Sequence, residues 1–382
     1  MNISEEFLSE AVKHVADYFS FETWSVQTEE MNERFVNYFG ILIPVTVVGV
    51  IKGEKIYKSV YVKLAPYNIT EKLESVIRDH YTVEAFTYST LIPMLRQESD
   101  IDIVVPGLYY ASLEPNKEFL VLENMTCKGY KRYVNKILDS DHISLALKAL
   151  ARFHSMSTVL NIKGKDPAHH LMNPYSNIYP PDYYQFIGLS IKRHLHIFES
   201  TPYFGYLNSL VTNLSQHVDD ASSKVKHIVY GHGDYWRENF LFKYENNKPT
   251  EICLLDFQKC RKTSPAYDFL ILLLTNLQSK ERRQNFQNFV DTYVDTFRLC
   301  LDKHNLKVDY TLDDFNEDIK IIAPMCLATA AMSFSLWLGL EDDYFENKKV
   351  CDENSRLKNL TSFKNIICDM LEDLINLKYI KM

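Results

Sequence analysis

The rhythm of apolar and polar positions changes character along this chain of 382 residues. Phe7, Leu8, Val12, Val15 and Phe19 recur at helical spacing, which predicts an amphipathic helix over the first twenty residues. Residues 41–51, Ile-Leu-Ile-Pro-Val-Thr-Val-Val-Gly-Val-Ile, are rich in β-branched side chains. A turn at Lys52-Gly53-Glu54-Lys55 leads from them to Ser59-Val60-Tyr61-Val62-Lys63-Leu64, so a hairpin is expected. Over 71–95 the period becomes helical again, with Val76, Val83, Phe86, Leu91 and Leu95 as its apolar skeleton. Val104–Tyr110 and Glu118–Glu123 read as two further strands, and the polar stretch Asn124–Gly129 reads as an irregular connector. Beyond it helical patterns dominate, over 141–160, 182–220, 264–304 and, with breaks, 312–376. The segment 161–181, rich in Lys, Pro, His, Asn and Tyr, reads as a long loop.

A β-rich first third, a short connector and a helical remainder predict an α+β fold of two lobes. The expected division is a small lobe over 1–121, a hinge over 122–128 and a larger, mostly helical lobe over 129–382. Ile321–Leu340 needs separate treatment, because its twenty residues carry no charge and are long enough to cross a bilayer. It contains Pro324, Thr329, Ser333, Ser335 and Gly339, and no other segment resembles it, so a buried helix is expected rather than a membrane span.

Composition narrows the picture further. Apolar residues make up 46% and charged ones 24%, an ordinary globular balance. The net charge of −8 and the absence of a long basic run argue against a nucleic-acid partner. Seven scattered cysteines without a Cys-x-x-Cys pair favour reduced thiols over a disulfide framework or a zinc site. The first twenty residues carry Glu5, Glu6, Glu10, Lys13 and Asp17, unlike a secretory signal, so a cytoplasmic protein is expected. Nothing in the chain argues against a monomer.

Two segments in the second half carry chemistry. The first is Gly231-His232-Gly233-Asp234-Tyr235-Trp236-Arg237-Glu238-Asn239, of the form His-Gly-Asp-x-x-x-x-Asn, between apolar stretches. The second, Ile252-Cys253-Leu254-Leu255-Asp256-Phe257-Gln258, is an apolar strand with an Asp at its end. Alone, the first segment would pass for a polar turn between strands. Together and in this order they match the catalytic loop of a kinase followed by its metal-binding Asp. Phosphoryl transfer needs a carboxylate against the attacking hydroxyl and Mg²⁺ held on the phosphates. Asp234 suits the first role, and Asn239 and Asp256 the second.

Other positions follow from that reading. Lys63, set in the apolar run Val60–Leu64, becomes the phosphate-binding lysine rather than a surface residue. Such a lysine needs a carboxylate partner. Of Glu71, Glu74 and Glu84 the last fits best, because apolar neighbours flank it and Tyr88, four residues on, offers no ion pair. Gly40 stands in Asn37-Tyr38-Phe39-Gly40-Ile41-Leu42-Ile43, where a phosphate-covering loop is expected, though with one glycine instead of three. His232 is expected to brace the loop, and Asp268 to cap a helix or tie the loop down. Arg237 is read as a solvated loop residue, His169 and His170 as loop, and Cys253 and Cys260 as inert.

These motifs resemble the ecdysteroid kinase-like, or choline-kinase-like, proteins, relatives of aminoglycoside phosphotransferases and choline kinases. The resemblance rests on His232-Gly233-Asp234-x-Trp236-x-x-Asn239, Leu255-Asp256-Phe257-Gln258 and Ser264-Pro265-Ala266-x-Asp268. It extends to Phe119–Met125, to Leu150-Ala151-Arg152-Phe153-His154-Ser155-Met156-Ser157 and to Glu84-x-x-x-Tyr88-x-x-x-Ile92-Pro93, running from about residue 35 to 340. It implies a protein-kinase-like fold, ATP and Mg²⁺ as cofactors, and a small-molecule alcohol as acceptor, a steroid hormone for named members. It also implies that Glu123 and Met125 offer backbone groups to adenine. The nucleotide loop departs from the family pattern, being bulky and apolar where small residues are usual. The expected activity is ATP-dependent phosphorylation of a lipophilic alcohol. The alternatives are a choline- or aminoglycoside-type kinase, or a pseudokinase that binds ligand without turnover.

Overall fold

The computed structural model describes residues 3–27, 35–37, 40–66, 71–167, 183–341 and 353–382. Tyr38 and Phe39 of the expected phosphate loop, and His169 and His170, lie outside the described residues. The chain forms two compact units, Met1–Tyr133 with Glu238–Cys260, and Val134–Arg237 with Arg261–Met382. The first unit takes a segment from the second half of the chain.

The first unit is built on an antiparallel sheet. Helix α1 (Ile3–Tyr18) precedes strands β1 (Thr23–Gln27), β2 (Phe35–Asn37), β3 (Gly40–Ile51) and β4 (Glu54–Leu64). Strands β5 (Leu108–Ser112) and β6 (Phe119–Glu123) complete the order β1-β3-β4-β6-β5, with β2 also on β3. Alternation does the sorting: Ile43, Val45 and Val47 of β3 and Val60 and Val62 of β4 are buried against Ala11, Val12 and Val15 of α1. Leu8 and Phe19 pack on the margin of this core. Each such side chain taken out of water contributes about 1.5–3 kcal/mol.

The β3–β4 turn is tighter than expected. Lys52 and Gly53 alone make it, at φ of 53° and 83°, and β4 already begins at Glu54. Two successive positive φ values are the hairpin turn whose twist matches the strands. The expected helix over 71–95 is interrupted. Helix α2 (Glu71–Phe86) passes through a π-helical turn, Thr87–Leu91, into α3 (Ile92–Glu98). Pro93 has no N–H to give the ladder, and the Ile92 N–H reaches back to the Thr87 carbonyl. Val76 is exposed, whereas Ile77, Tyr81 and Glu84 are buried, so the inward face of α2 is rotated from the apolar stripe. The expected strand over 104–110 starts only at Leu108, after Pro106-Gly107. Val104 instead bridges Cys253 of the hairpin Phe240–Glu245/Lys248–Leu254, and Lys131 bridges Phe242. These two bridges attach the hairpin to the first unit.

The second unit is helical. Helix α4 (Ser140–Ile162) starts at Asp139, whose Oδ1 accepts from the N–H groups of Asp141 and His142. Two short strands, Val229–Gly231 and Arg261–Thr263, pair antiparallel. The expected helix over 182–220 is broken into Tyr183–Arg193, Phe204–Thr212 and Leu214–Ser223. The 264–304 pattern divides into Pro265–Asn276 and Ser279–Lys303. Helix Leu312–Trp337 opens with a capping box between Thr311 and Asp314. It is long and apolar enough to cross a membrane by length and composition, and 72% of its most apolar window is buried inside the protein.

The last helix, Glu353–Asn376, is fixed through Asp373, which is 1% exposed. Its carboxylate accepts from Ser279 Oγ at 2.7 Å, from Arg282 Nε at 2.7 Å and from Arg283 Nε. Removing one partner from a buried ion pair strands the other charge. Asp373→Ala is expected to cost about 3–5 kcal/mol in chemical denaturation, and Asp373→Asn, which keeps the shape and some hydrogen bonds, clearly less. Equal losses in the two variants would mean that the charge is unimportant here.

Candidate active site

Lys63 is the centre of the first unit. It sits near the end of β4, opposite Leu42 of β3 and Leu120 of β6, and is 2% exposed. A lysine so buried must be paired. Its Nζ donates to Glu84 Oε2 at 2.5 Å, to Asp256 Oδ1 at 2.9 Å and to Gln258 Oε1 at 3.2 Å. Burial lowers the pKa of the ammonium, but the carboxylates of Asp256 and Glu84 outweigh it and hold the group protonated. The same burial, with Asp256 adding to it, pushes the Glu84 carboxyl above the usual carboxylate range, against the pull of Lys63. The ring of Tyr81, three residues before Glu84, lies 5.7 Å from the ammonium.

The carboxylate of Asp256 reaches the lysine from a strained backbone. Asp256 has φ of 60°, a left-handed conformation that costs an L-residue energy and that Asp tolerates better than most. Phe257 behind it is fully buried and meets Tyr88 edge-to-face at 5.5 Å. Asn239 is the residue just before the hairpin, and its carbonyl accepts from the Leu255 N–H at 2.9 Å. Asn239 and Asp256 therefore sit at the same end of one hairpin. Their amide and carboxylate oxygens are hard donors, the kind that Mg²⁺ selects. Among the described residues no group of three or more His, Cys, Asp or Glu forms a metal cage. Mg²⁺ fits such a sparse donor set, because it keeps several waters and completes its shell with substrate phosphates.

Gly40 has a structural explanation of its own. A Cβ there would come within 2.7 Å of the Tyr81 hydroxyl and 2.8 Å of the Leu64 carbonyl. Its bareness lets Tyr81 close in beneath Lys63. Farther along the sheet, the Glu123 N–H donates to the Gly107 carbonyl at 2.8 Å. The Glu123 carboxylate pairs with Lys128 at 2.8 Å, and the Met125 carbonyl accepts from the Tyr130 N–H at 3.3 Å.

Asp234 belongs to the second unit, where the loop after Val229–Gly231 is gripped from below. Asp268 is fully buried, and its Oδ2 and Oδ1 accept from the backbone N–H groups of His232 at 2.6 Å and Gly233 at 2.9 Å. His154 Nε2 lies 3.3 Å from the same carboxylate, and His154 Nδ1 lies 2.7 Å from the Tyr293 hydroxyl. Burial opposes ionisation of Asp268, yet His154 and the loop N–H groups hold its pKa below the ordinary value. Asp268 thus ties the loop down, while Ser264 caps the helix by accepting from the Ala266 N–H. Gly233 takes φ of 81°, and His232 Nδ1 accepts from the Asp234 N–H at 3.3 Å. Gly231 is closed to any side chain, since a Cβ would lie 2.6 Å from Asp268 Oδ2. Beyond the aspartate, the Tyr235 hydroxyl donates to the Ala146 carbonyl at 2.8 Å. Arg237 donates through its backbone N–H to Asn276 and through Nη1 to the Lys136 carbonyl, so it is a bound residue rather than a solvated one. Cys253 and Cys260 are buried, and burial raises the Cys253 thiol well above its ordinary value.

Sequence reasoning passed over three contributors. Gln258 counted only as a motif letter, although it accepts directly from Lys63. Tyr81 shares a helix face with Glu84 and was legible from that spacing. The His154–Asp268 contact joins residues 114 apart, and no local pattern announces it.

Solved structures similar to this chain include aminoglycoside phosphotransferases and a choline kinase. A protein of Ralstonia eutropha JMP134 assigned as an aminoglycoside phosphotransferase is 12% identical at a TM-score of 0.54, over 96% of this chain and 98% of its own. A GDP complex of an aminoglycoside 2′-phosphotransferase is 13% identical at 0.53, over 95% and 98%. Choline kinase from Cryptosporidium parvum Iowa II is 10% identical at 0.50, over 99% and 98%. At such identities the likeness establishes the fold, which is the α+β, protein-kinase-like one with a β-sheet first part and a helical second part. Among curated proteins no sequence relative matches. The family model that does match spans residues 34–306, including the lysine cluster and the aspartate loop, and on that match the chain belongs to the ecdysteroid kinase-like family.

Proposed function

We propose that this protein is an ATP-dependent small-molecule kinase that phosphorylates an alcohol hydroxyl, with a lipophilic, steroid-like acceptor. The observation that carries the reading is Lys63, buried and held at once by Glu84 and Asp256. An ammonium positioned by a helix carboxylate, with a metal-binding Asp beside it, is the arrangement that phosphoryl transfer requires. Lys63 serves the nucleotide phosphates. Asn239 and Asp256 serve Mg²⁺, which when bound neutralises charge on the phosphates. The family resemblance assigns backbone groups of Glu123 and Met125 to adenine, and within the protein the Glu123 N–H and the Met125 carbonyl are already bonded.

Asp234 orients the acceptor hydroxyl and takes its proton as the oxygen attacks. Its loop holds still because two backbone N–H groups are anchored on Asp268. That rigidity is what positioning catalysis needs, since small displacements of the base are costly.

Two substitutions test the assignment. Asp234→Asn is nearly isosteric and removes the charge, so single-turnover transfer from labelled ATP is expected to fall by about 10²–10⁴-fold while ATP binding and stability survive. A loss below about tenfold would mean that the chemistry does not depend on this carboxylate. Lys63→Met should lower turnover more than nucleotide affinity read by calorimetry. It also strands two carboxylates, so a stability loss of about 3–5 kcal/mol is expected, part of which Lys63→Met with Glu84→Gln should restore. Turnover near that of the wild type in folded Lys63→Met would remove the lysine from the mechanism.

A further inference from the structure

Three large aromatic side chains of the second unit are left partly in water, one of them two residues from Asp234. Helix Leu312–Trp337 is buried continuously from Ile322 to Met332, and then its burial lapses. Phe334 and Trp337 are only half-buried, and so is Trp236, two residues after Asp234. The three form one surface. The indoles of Trp236 and Trp337 stack at 4.1 Å and 17°, and Phe334 meets Trp337 edge-to-face at 4.9 Å. Trp236 is also tied to the reactive residue, because its N–H donates to the Asp234 carbonyl at 3.1 Å. Trp236 and Asp234 therefore share one short, bonded stretch of backbone.

We propose that Trp236, Trp337 and Phe334 form the wall of the acceptor subsite and bind the apolar ring skeleton of an alcohol whose hydroxyl is presented to Asp234. This rests on the kinase reading and adds to it the residues that choose the acceptor. Stacked aromatics offer wide, flat apolar area at little conformational cost, which suits a rigid fused-ring molecule. An aromatic surface also attracts quaternary ammonium groups, but the charges around this one oppose that use. The Arg237 guanidinium already stands 5.8 Å from the Trp236 ring, so a second cation there would be repelled. Among the described residues, the glutamates that follow the two tryptophans along the chain are engaged. Glu238 pairs with Arg132, and Glu341 with Arg193 and the hydroxyls of Ser190 and Ser335.

The chain has three tryptophans, and the third, Trp24, is exposed on strand β1, so a Trp24→Phe protein reports on the stacked pair alone. Titrating that protein with ecdysone, choline and kanamycin in turn is expected to shift or quench its emission with ecdysone only. In transfer assays, Trp337→Leu should raise the acceptor KM about tenfold, with the KM for ATP unchanged and kcat within about twofold, and Trp337→Phe should recover most of the loss. An unchanged acceptor KM in folded Trp337→Leu, or equal rises in both KM values, would overturn the proposal. An emission response to choline or kanamycin instead of ecdysone would overturn the assignment to a neutral ring. Failure of the kinase reading looks different: ecdysone would still change the emission while no phosphoryl transfer occurred.

Discussion

A protonated lysine enclosed by protein is the constraint around which the first unit is arranged. Lys63 could not remain charged at 2% exposure without the two carboxylates and the amide oxygen that surround it. Each partner comes from a different stretch, Glu84 from α2, and Asp256 and Gln258 from the segment after the 240–254 hairpin. Satisfying one ammonium therefore fixes the rotation of a helix, the position of a hairpin and the left-handed backbone of Asp256. The bare Cα of Gly40 follows from the same demand, because Tyr81 must fit beneath the lysine.

The second unit solves the inverse problem. There the buried charge is the Asp268 carboxylate, and its partners are backbone N–H groups and a histidine. Hydrogen bonds to the charged form keep it ionised in a site where burial alone would neutralise it. In return the carboxylate immobilises the turn His232-Gly233 and so presents Asp234. Gly231 and Gly233 serve this turn differently, the first by leaving room for Asp268, the second by adopting positive φ. The half-exposed Trp236, Trp337 and Phe334 then contrast with a helix otherwise sealed in the core.

The sequence alone determined the candidate residues for chemistry and the broad succession of a β-rich first part and a helical second part. An Asp and an Asn five positions apart, an Asp ending an apolar strand and a lysine inside another are local patterns, because strands and loops are short and their signatures are contiguous. The α1 face, the β3–β4 hairpin and the burial of the first part of Ile321–Leu340 were legible for the same reason. The tertiary structure decided what spacing cannot carry. It rotated α2 so that Val76 faces water and Glu84 faces Lys63, since pairing a buried charge outweighs burying one more valine. It assigned the hairpin of 240–254 to the first unit through bridges to Val104 and Lys131. It joined His154 to Asp268 and Trp236 to Trp337 across 114 and 101 positions, respectively. Contacts of that range depend on how whole helices pack, and no window of sequence encodes them.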